Sequence, residues 1–353
     1  MNETINQDKK IEEIIAYLKS YSGKHIRLME VCGSHTQAIS KSGIRQMLSK
    51  DIELISGPGC PVCVTPTDYI DKLVELSLTS GITVATFGDL LRVPGSKSSL
   101  NEAKGQSGKA VMVYSPMDVL QLAQDNPNET YVFAAVGFET TAPVYTILMD
   151  EATRLGLKNI KLLTALKTMP GAISYLLDNG AEIDGFIAPG HVCAITGADY
   201  FNDLAKKYGI SFAVSGFEDR ELLLAIYGLV KMVENADHSV KNFYTAVVEA
   251  GRNEMAYANL EKYFEASDAA WRGMGVIPGS GFLLKKEYQF FDAGSAGLDE
   301  DNKRNKACRC GEILMGKAKP VDCPLFGKVC NPSHPQGACM VSMEGSCFSA
   351  YSM

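Results

Sequence analysis

Eight short apolar segments, separated by stretches with helical periodicity, constrain the fold of this chain more than any other feature. The segments are rich in Val, Ile and Phe and are nearly continuous in apolar character. Strands that are buried on both faces of a parallel sheet have this composition. We therefore predict an α/β fold with parallel sheets. The predicted strands are residues 26–31, 52–55, 82–87, 110–114, 131–138, 160–165, 185–188 and 211–215.

The order of these segments predicts four regions. Residues 1–24 hold an amphipathic helix, which we expect to pack on the C-terminal domain. Residues 25–125 and 126–217 are the two α/β halves, divided at the polar segment 125–129. Residues 218–353 form a last region with helices at 218–233 and 240–264, no clear strand, and a Gly-rich, Cys-rich end.

Composition and charge exclude several classes of function. The chain has 34 basic and 41 acidic residues, a net charge of −7, and its basic residues are scattered. We therefore expect no binding to nucleic acid. The polar start and the absence of an apolar run of about 18 residues predict no signal peptide and no membrane span. We expect a cytoplasmic protein, in which ten cysteines point to metal or redox chemistry rather than to a disulfide framework.

Reactive side chains follow four of the predicted strands. They are Cys32, the pair Cys60 and Cys63, Glu139, and His191. Ligands of open α/β sheets bind beyond the carboxyl ends of the strands. We therefore expect these four strand ends to meet at one cleft.

The two sulfurs of Cys60 and Cys63 can face the same small volume, because two residues separate them. They could form a reversible disulfide, share a metal, or be two buried structural thiols. Cys32 is either a third soft ligand beside this pair or a small core residue. His35 lies three residues further on and could donate a proton or bind a metal ligand by a hydrogen bond.

Glu139 and His191 are candidate acid–base groups. Glu139 lies in a Gly-Phe-Glu-Thr-Thr turn and could equally cap the helix that follows. His191 follows Pro-Gly and could instead be a core histidine with satisfied hydrogen bonds. We interpret Cys193 as a packing residue.

Cys323, Cys330, Cys339 and Cys347 are separated by six, eight and seven residues. Four thiolates can bind zinc or hold an iron–sulfur cluster. Structural zinc usually takes tightly spaced Cys pairs, so this wide spacing favours a [4Fe–4S] cluster. Cys308 and Cys310 are too close in sequence for an ordinary pair of ligands to one metal, and we interpret them as an auxiliary redox or disulfide-exchange site.

Seven segments in the same order resemble the hydrogenase maturation family HypD. Together they extend over almost the whole chain, from about residue 25 to the end. The segments are 30–36 (EVCGSHT), 57–65 (GPGCPVCVT), 137–143 (GFETTAP), 189–192 (PGHV), 308–314 (CRCGEIL), 322–327 (DCPLFG) and 337–347 (GACMVSMEGSC).

This resemblance implies two similar Rossmann-like α/β domains that face a cleft and a third domain that carries a [4Fe–4S] cluster. It implies that Cys32, Cys60 and Cys63 form the site where Fe(II) receives its diatomic ligands. The cluster ligands implied by the resemblance are Cys323, Cys330, Cys339 and Cys347.

The resemblance also implies supporting roles for His35, Glu139, His191 and Glu344. Its implied partners are HypC, a chaperone that shares the iron, and HypE, which supplies cyanide from a thiocyanate on its terminal cysteine. The implied product is the Fe(CN)2CO unit of [NiFe] hydrogenases. Two rival hypotheses remain: a cluster-dependent disulfide reductase of the ferredoxin–thioredoxin reductase type, and a zinc-stabilised binding module.

Overall fold

The computed structural model describes residues 2–352, and their side chains from residue 9 onward. Eleven strands lie within these described residues. They are β1 Ile26–Glu30, β2 Ile52–Ser56, β3 Ile82–Thr86, β4 Ala110–Met112, β5 Thr130–Gly137, β6 Ile160–Lys167, β7 Gly185–Pro189, β8 Ser211–Ser215, β9 Val240–Asn242, β10 Phe264–Trp271 and β11 Gly275–Leu284.

Thirteen α-helices connect and cover these strands in the described part of the chain. They are α1 Asn2–Ser20, α2 Gly33–Ser42, α3 Thr67–Leu78, α4 Leu100–Lys104, α5 Asp118–Asp125, α6 Ala142–Arg154, α7 Met169–Asp178, α8 Gly190–Thr196, α9 Asn202–Tyr208, α10 Asp219–Glu234, α11 Glu254–Tyr263, α12 Cys310–Leu314 and α13 Ser346–Tyr351.

The strands form two sheets, and the predicted α/β class is confirmed. The first sheet has the order β2-β1-β7-β8-β9 and is parallel throughout. The second has the order β10-β11-β6-β5-β3-β4, in which β3 to β6 are parallel and the β10–β11 hairpin is antiparallel. Ranked by chain order within its own sheet, the first sheet runs second, first, third, fourth, fifth, and the parallel part of the second sheet, taken from β4 to β6, runs second, first, third, fourth. This repeated order is consistent with two Rossmann-like domains.

The division of strands between the two halves differs from the expected boundary near residue 125. Strands β3 and β4 precede that point, yet they pair with β5 and β6 beyond it. The chain then returns, and β7 pairs with β1 of the first sheet. The second sheet is therefore inserted between β2 and β7. The apolar pattern of a strand indicates burial but not which neighbour it pairs with, so the boundary prediction was wrong on this point.

Three strands beyond residue 218 were not predicted. The expected helix over 240–264 is confined to α11, and β9 precedes it. The β10–β11 hairpin has sequences (FEASDAAW and GVIPGSGFLL) with little apolar alternation and with Gly and Pro typical of loops. Its turn depends on Gly273 and Gly275, whose φ angles of 76° and 79° suit glycine.

Helix α1 packs on α10 beside the first sheet. Leu18 is fully buried there, and the Tyr17 hydroxyl donates a hydrogen bond to Glu234 over 2.8 Å. None of the described helices combines the length and the apolar character that a membrane span requires.

The sheet order brings the reactive strand ends to two switch points. In the first sheet the order reverses between β1 and β7, which are followed by Cys32 and His191. In the second it reverses between β3 and β5, and β5 is followed by Glu139. Crevices at such switch points are the usual ligand sites of α/β sheets.

Candidate functional site

The turn at Cys32 lies directly against the loop that carries Cys60 and Cys63. Cys32 is the N-cap residue of α2, and the Gly33 N–H donates to the Gly59 carbonyl over 2.9 Å. A Cβ on Gly59 would lie 2.1 Å from the Cys32 nitrogen and 2.4 Å from its Cα. Only glycine fits at this position, so the sequence Gly-Cys of the second loop is what allows the two backbones to touch.

Cys60 and Cys63 are joined by a disulfide, and both are buried. The Cys63 N–H donates to the Cys60 carbonyl, so the pair sits in a tight turn before α3. The two sulfurs therefore face the same small volume and are bonded to each other. A buried disulfide beside a free thiol can accept two electrons and open to a dithiol.

Glu30 is a functional candidate that sequence reasoning missed. It ends β1 with its side chain fully buried, accepts the Cys32 N–H over 3.2 Å and accepts the hydroxyl of Thr36. Burial raises the pKa of Glu30 to about 7, against the opposing effect of these hydrogen bonds. The sequence did carry a signal for Glu30, because burying a carboxylate within an apolar strand costs free energy, which indicates that the residue is retained for a function.

The surroundings of Cys32 favour its thiol over its thiolate. Burial raises the pKa of Cys32 to about 12, and the charges of Glu344 and Glu30 add to the shift. Glu344 reaches this site from the C-terminal segment: it accepts the Ser34 hydroxyl over 2.8 Å, and its side chain packs on Gly33. Burial also raises the pKa of Glu344. The C-terminal segment thus closes one side of the Cys32 turn.

His35 and His191 both contact the ring of Phe217. The ring centroids of His35 and Phe217 are 4.7 Å apart, and those of His191 and Phe217 are 3.8 Å apart. His35 is fully buried, and its Nε2 donates to the Gly216 carbonyl over 3.0 Å, which leaves Nδ1 without a partner. Burial lowers the pKa of His35 to about 4, so the ring is neutral at pH 7. Burial also lowers the pKa of the more exposed His191.

Glu139 hydrogen-bonds to the start of α7, not to α6, the helix that follows its own turn. Its Oε1 accepts the Met169 N–H at the start of α7 over 2.7 Å and the Tyr200 hydroxyl over 2.9 Å. Its Oε2 is buried without a hydrogen-bond partner. Burial raises the pKa of Glu139 to about 6. Burial together with the Glu139 charge raises the pKa of Cys193, which places this thiol near the same carboxylate.

The cysteine-rich tail folds around a small cavity. Its wall contains three of the four expected ligands and also two cysteines that were interpreted as a separate site. The cysteines lining it are Cys308, Cys310, Cys323, Cys330 and Cys347.

Of the described cysteines, Cys339 does not line this cavity, although the spacing had grouped it with the other three. It is fully buried and hydrogen-bonds to Cys310, whose pKa is lowered by hydrogen bonds from the thiols of Cys308, Cys339 and Cys347. Gly337 makes this packing possible, because a Cβ there would lie 2.6 Å from the Cys310 sulfur. Spacing along the chain could not show which thiol faces the cavity.

The donor set around this cavity fits an iron–sulfur cluster. All the cavity cysteines are buried, they come from separate segments, and thiolates are the protein ligands of such clusters. The cavity measures about 10 Å³, so a cluster would have to separate thiols that now contact each other. Among the described residues, no three His, Cys, Asp or Glu side chains are arranged around a single metal ion.

One continuous core joins the two groups of cysteines. Cys60, Cys63 and the six tail cysteines belong to the same cluster of buried side chains. The Arg272 N–H donates to the Val64 carbonyl over 2.8 Å, directly after Cys63. The next residue, Gly273, packs on Gly311, which follows Cys310, so closely that a Cβ on Gly273 would lie 2.3 Å from the Gly311 Cα. The Arg272–Gly273 segment of the β10–β11 turn therefore contacts both sites.

Comparison with known proteins agrees with this arrangement. Residues 7–353 match the HypD family, described as "Hydrogenase formation hypA family". The chain is 41% identical to the hydrogenase maturation factor HypD of Escherichia coli K12 over 97% of this chain and 92% of that protein. It is 40% identical to the HypD of Azotobacter vinelandii, over 93% and 89% of the two chains. A putative hydrogenase expression/formation protein of Methanocaldococcus jannaschii is 37% identical over 97% of each chain. The chain therefore belongs to the HypD family of hydrogenase maturation factors.

Proposed function

We propose that this chain is the scaffold on which the Fe(CN)2CO unit of [NiFe] hydrogenases is assembled, together with HypC and HypE. The observation that carries the proposal is the contact of the Cys32 turn with the Cys60–Cys63 loop, measured by the 2.9 Å hydrogen bond from Gly33 to Gly59. A free thiol beside a disulfide provides a metal ligand and a store for an electron pair in one place.

The iron is the cargo of this site. Thiolates are soft, electron-rich ligands that suit an iron which must also bind cyanide and carbon monoxide. Cys32 supplies one thiolate, the opened Cys60–Cys63 pair supplies one or two more, and HypC shares the metal. Glu344 and His35 border the Cys32 turn and limit the access of water to it.

The cyanide step uses the dithiol form of Cys60 and Cys63. A thiocyanate on the terminal cysteine of HypE is cleaved at its sulfur–carbon bond by the two thiols. The products are the free thiol of HypE, hydrogen cyanide and the Cys60–Cys63 disulfide, so the two electrons come from the oxidation of the two thiols to the S–S bond. Two electrons and two protons then restore the dithiol.

A [4Fe–4S] cluster in the tail would supply those electrons one at a time. Cys323, Cys330, Cys339 and Cys347 would hold it, because three of them line the cavity and the thiol of Cys339 hydrogen-bonds to Cys310, which also lines it. The core shared by both groups of cysteines supports this division of roles.

The test is anaerobic co-purification with HypC, followed by incubation with thiocyanate-charged HypE and infrared spectroscopy. We expect CN and CO stretching bands from the intact protein. Cys60→Ser should lose the bands and keep the brown absorbance of the cluster, while the control Cys193→Ala should keep both. Bands that persist in Cys60→Ser would refute the proposal.

A second candidate is a free-standing disulfide reductase, which the Cys60–Cys63 disulfide favours. Such an enzyme needs the pair but not Cys32. Catalytic reduction of an unrelated protein disulfide, unchanged in Cys32→Ala, would support this candidate and contradict the scaffold.

A further inference from the structure

A groove of about 700 Å³ is left unused by the proposed function. One wall is β2, the edge strand of the first sheet, and the other is formed by residues 313–322 and 346–350. Five basic and two acidic residues line the groove, which gives it a net charge of +3 in a chain of net charge −7. A cleft whose charge opposes that of its own protein attracts partners of the opposite sign.

Two of the basic residues have no acidic partner among the described side chains. Lys319 and Arg27 both contact Glu53, over 2.9 and 3.2 Å. Lys50 and Lys317 are exposed, and neither forms an ion pair within residues 9–352. Their ammonium groups are therefore available to carboxylates from outside the chain.

The groove shares a wall with the cysteine cavity. Ile313 lines both of them. Asp322 and Ser346, on the groove side, directly precede Cys323 and Cys347 on the cavity side. A partner seated in the groove would thus lie about one side chain away from the buried thiols.

The edge of β2 does not favour the addition of a peptide strand. Arg45 covers it by donating a hydrogen bond to the Leu54 carbonyl over 2.5 Å. A blocked edge of this kind is a common defence against strand pairing. The charge and the position of the groove, rather than its backbone, are what a partner would recognise.

We propose that this groove docks a small acidic protein that carries one electron at a time. This inference rests on the proposed function, which requires a supply of electrons. Two reduced carrier molecules give one electron each, the Cys60–Cys63 S–S bond takes up two electrons and two protons, and the products are two thiols and two oxidised carriers. Interfaces of this kind are small and depend on charge complementarity.

The test compares two double variants with the same change in net charge. Lys50→Glu with Lys317→Glu reverses the free cations of the groove, while Lys104→Glu with Lys206→Glu reverses exposed lysines that do not line it. The cluster-loaded protein is titrated by calorimetry, without HypC, HypE or cargo iron. The probe is an acidic [2Fe–2S] electron-carrier protein.

We expect the groove variant to weaken binding about tenfold or more, the control to change it less than about twofold, and salt to weaken the intact complex. A thiol count after addition of the reduced carrier should show slower opening of the disulfide in the groove variant. Equal losses in both variants, or no binding at all, would overturn the inference. A Glu-rich hexapeptide that binds as tightly as the carrier would also overturn it, in favour of a peptide site.

These outcomes are independent of the scaffold proposal. Carrier binding at the groove with no CN or CO bands would reject the scaffold alone. Normal bands with no dependence of carrier binding on the groove would reject the docking inference alone.

Discussion

Replacing Gly59 with Ala should separate the Cys32 turn from the Cys60–Cys63 loop. The added Cβ would lie 2.1 to 2.4 Å from three backbone atoms of Val31 and Cys32. Ordinary carbon contacts are about 3.5–4.0 Å long, so one backbone must move by more than about 1 Å. Because neither partner is a flexible side chain, we expect the loss of unfolding free energy at the upper end of the overpacking range, about 2–3 kcal/mol.

The assay is urea unfolding of the reduced, anaerobic protein, combined with the infrared measurement of the HypC complex. Gly251→Ala is the matched control, because no heavy atom lies within 4 Å of its added Cβ and its φ is not in the left-handed region. We expect the control to match the native protein in both measurements. If Gly59→Ala also unfolds at the native urea concentration and forms normal CN and CO bands, the contact of the two loops is not required for the chemistry.

Three further predictions concern buried groups. Burial lowers the pKa of Lys167 from 10.5 to about 7, so above pH 7 the unfolded chain binds more protons than the folded one. The free energy of unfolding, relative to that of Lys167→Met, should therefore rise by about 2 kcal/mol from pH 7 to pH 9. A difference that does not change with pH would contradict this. The pH dependence expected from Glu139 has the opposite sign, because its pKa of about 6 exceeds the ordinary 4.5. The free energy of unfolding, relative to that of Glu139→Gln, should fall by about 2 kcal/mol between pH 4 and pH 7 in urea titrations. Cys323→Ser should lose the iron and the brown colour of the purified protein, because Cys323 is one of the four proposed cluster ligands, and Cys193→Ala should keep both; iron analysis that shows the cluster retained in Cys323→Ser would contradict the proposed ligand set.

The parts of the fold that sequence predicted are those with a strong local signal. All eight apolar segments became strands, because continuous Val, Ile and Phe have few alternatives to burial between helices. The β10–β11 hairpin was not predicted, because its Gly and Pro residues are typical of loops. Its pairing with β6 is a tertiary contact, which the local sequence does not show. The insertion of one sheet into the other was missed for the same reason.

Residues of the candidate site were likewise predictable where the local sequence pattern places them at the end of a strand. Cys32 and Cys60 could be located because the strand ends of the first sheet meet at one edge, and Glu139 because it follows a strand of the second sheet, a consequence of topology alone. Glu30 was not predicted as a site residue, because only the residues after the end of each strand were considered as candidates, and Glu30 is the last residue of β1. The contribution of Cys308 and Cys310 to the cavity wall could not be predicted, because it depends on the direction of side chains in an irregular segment.

The most direct test of the account is whether Cys32 and Cys60 can reach each other. In Cys63→Ser, Cys60 has lost its own partner, and mild oxidation with diamide should join it to Cys32, because the Gly33–Gly59 hydrogen bond holds the two residues side by side. Mass spectrometry of the digested protein identifies the product. We predict one disulfide-linked peptide pair that contains Cys32 and Cys60, whereas a free Cys60, or one joined only to a tail cysteine, would contradict the shared site.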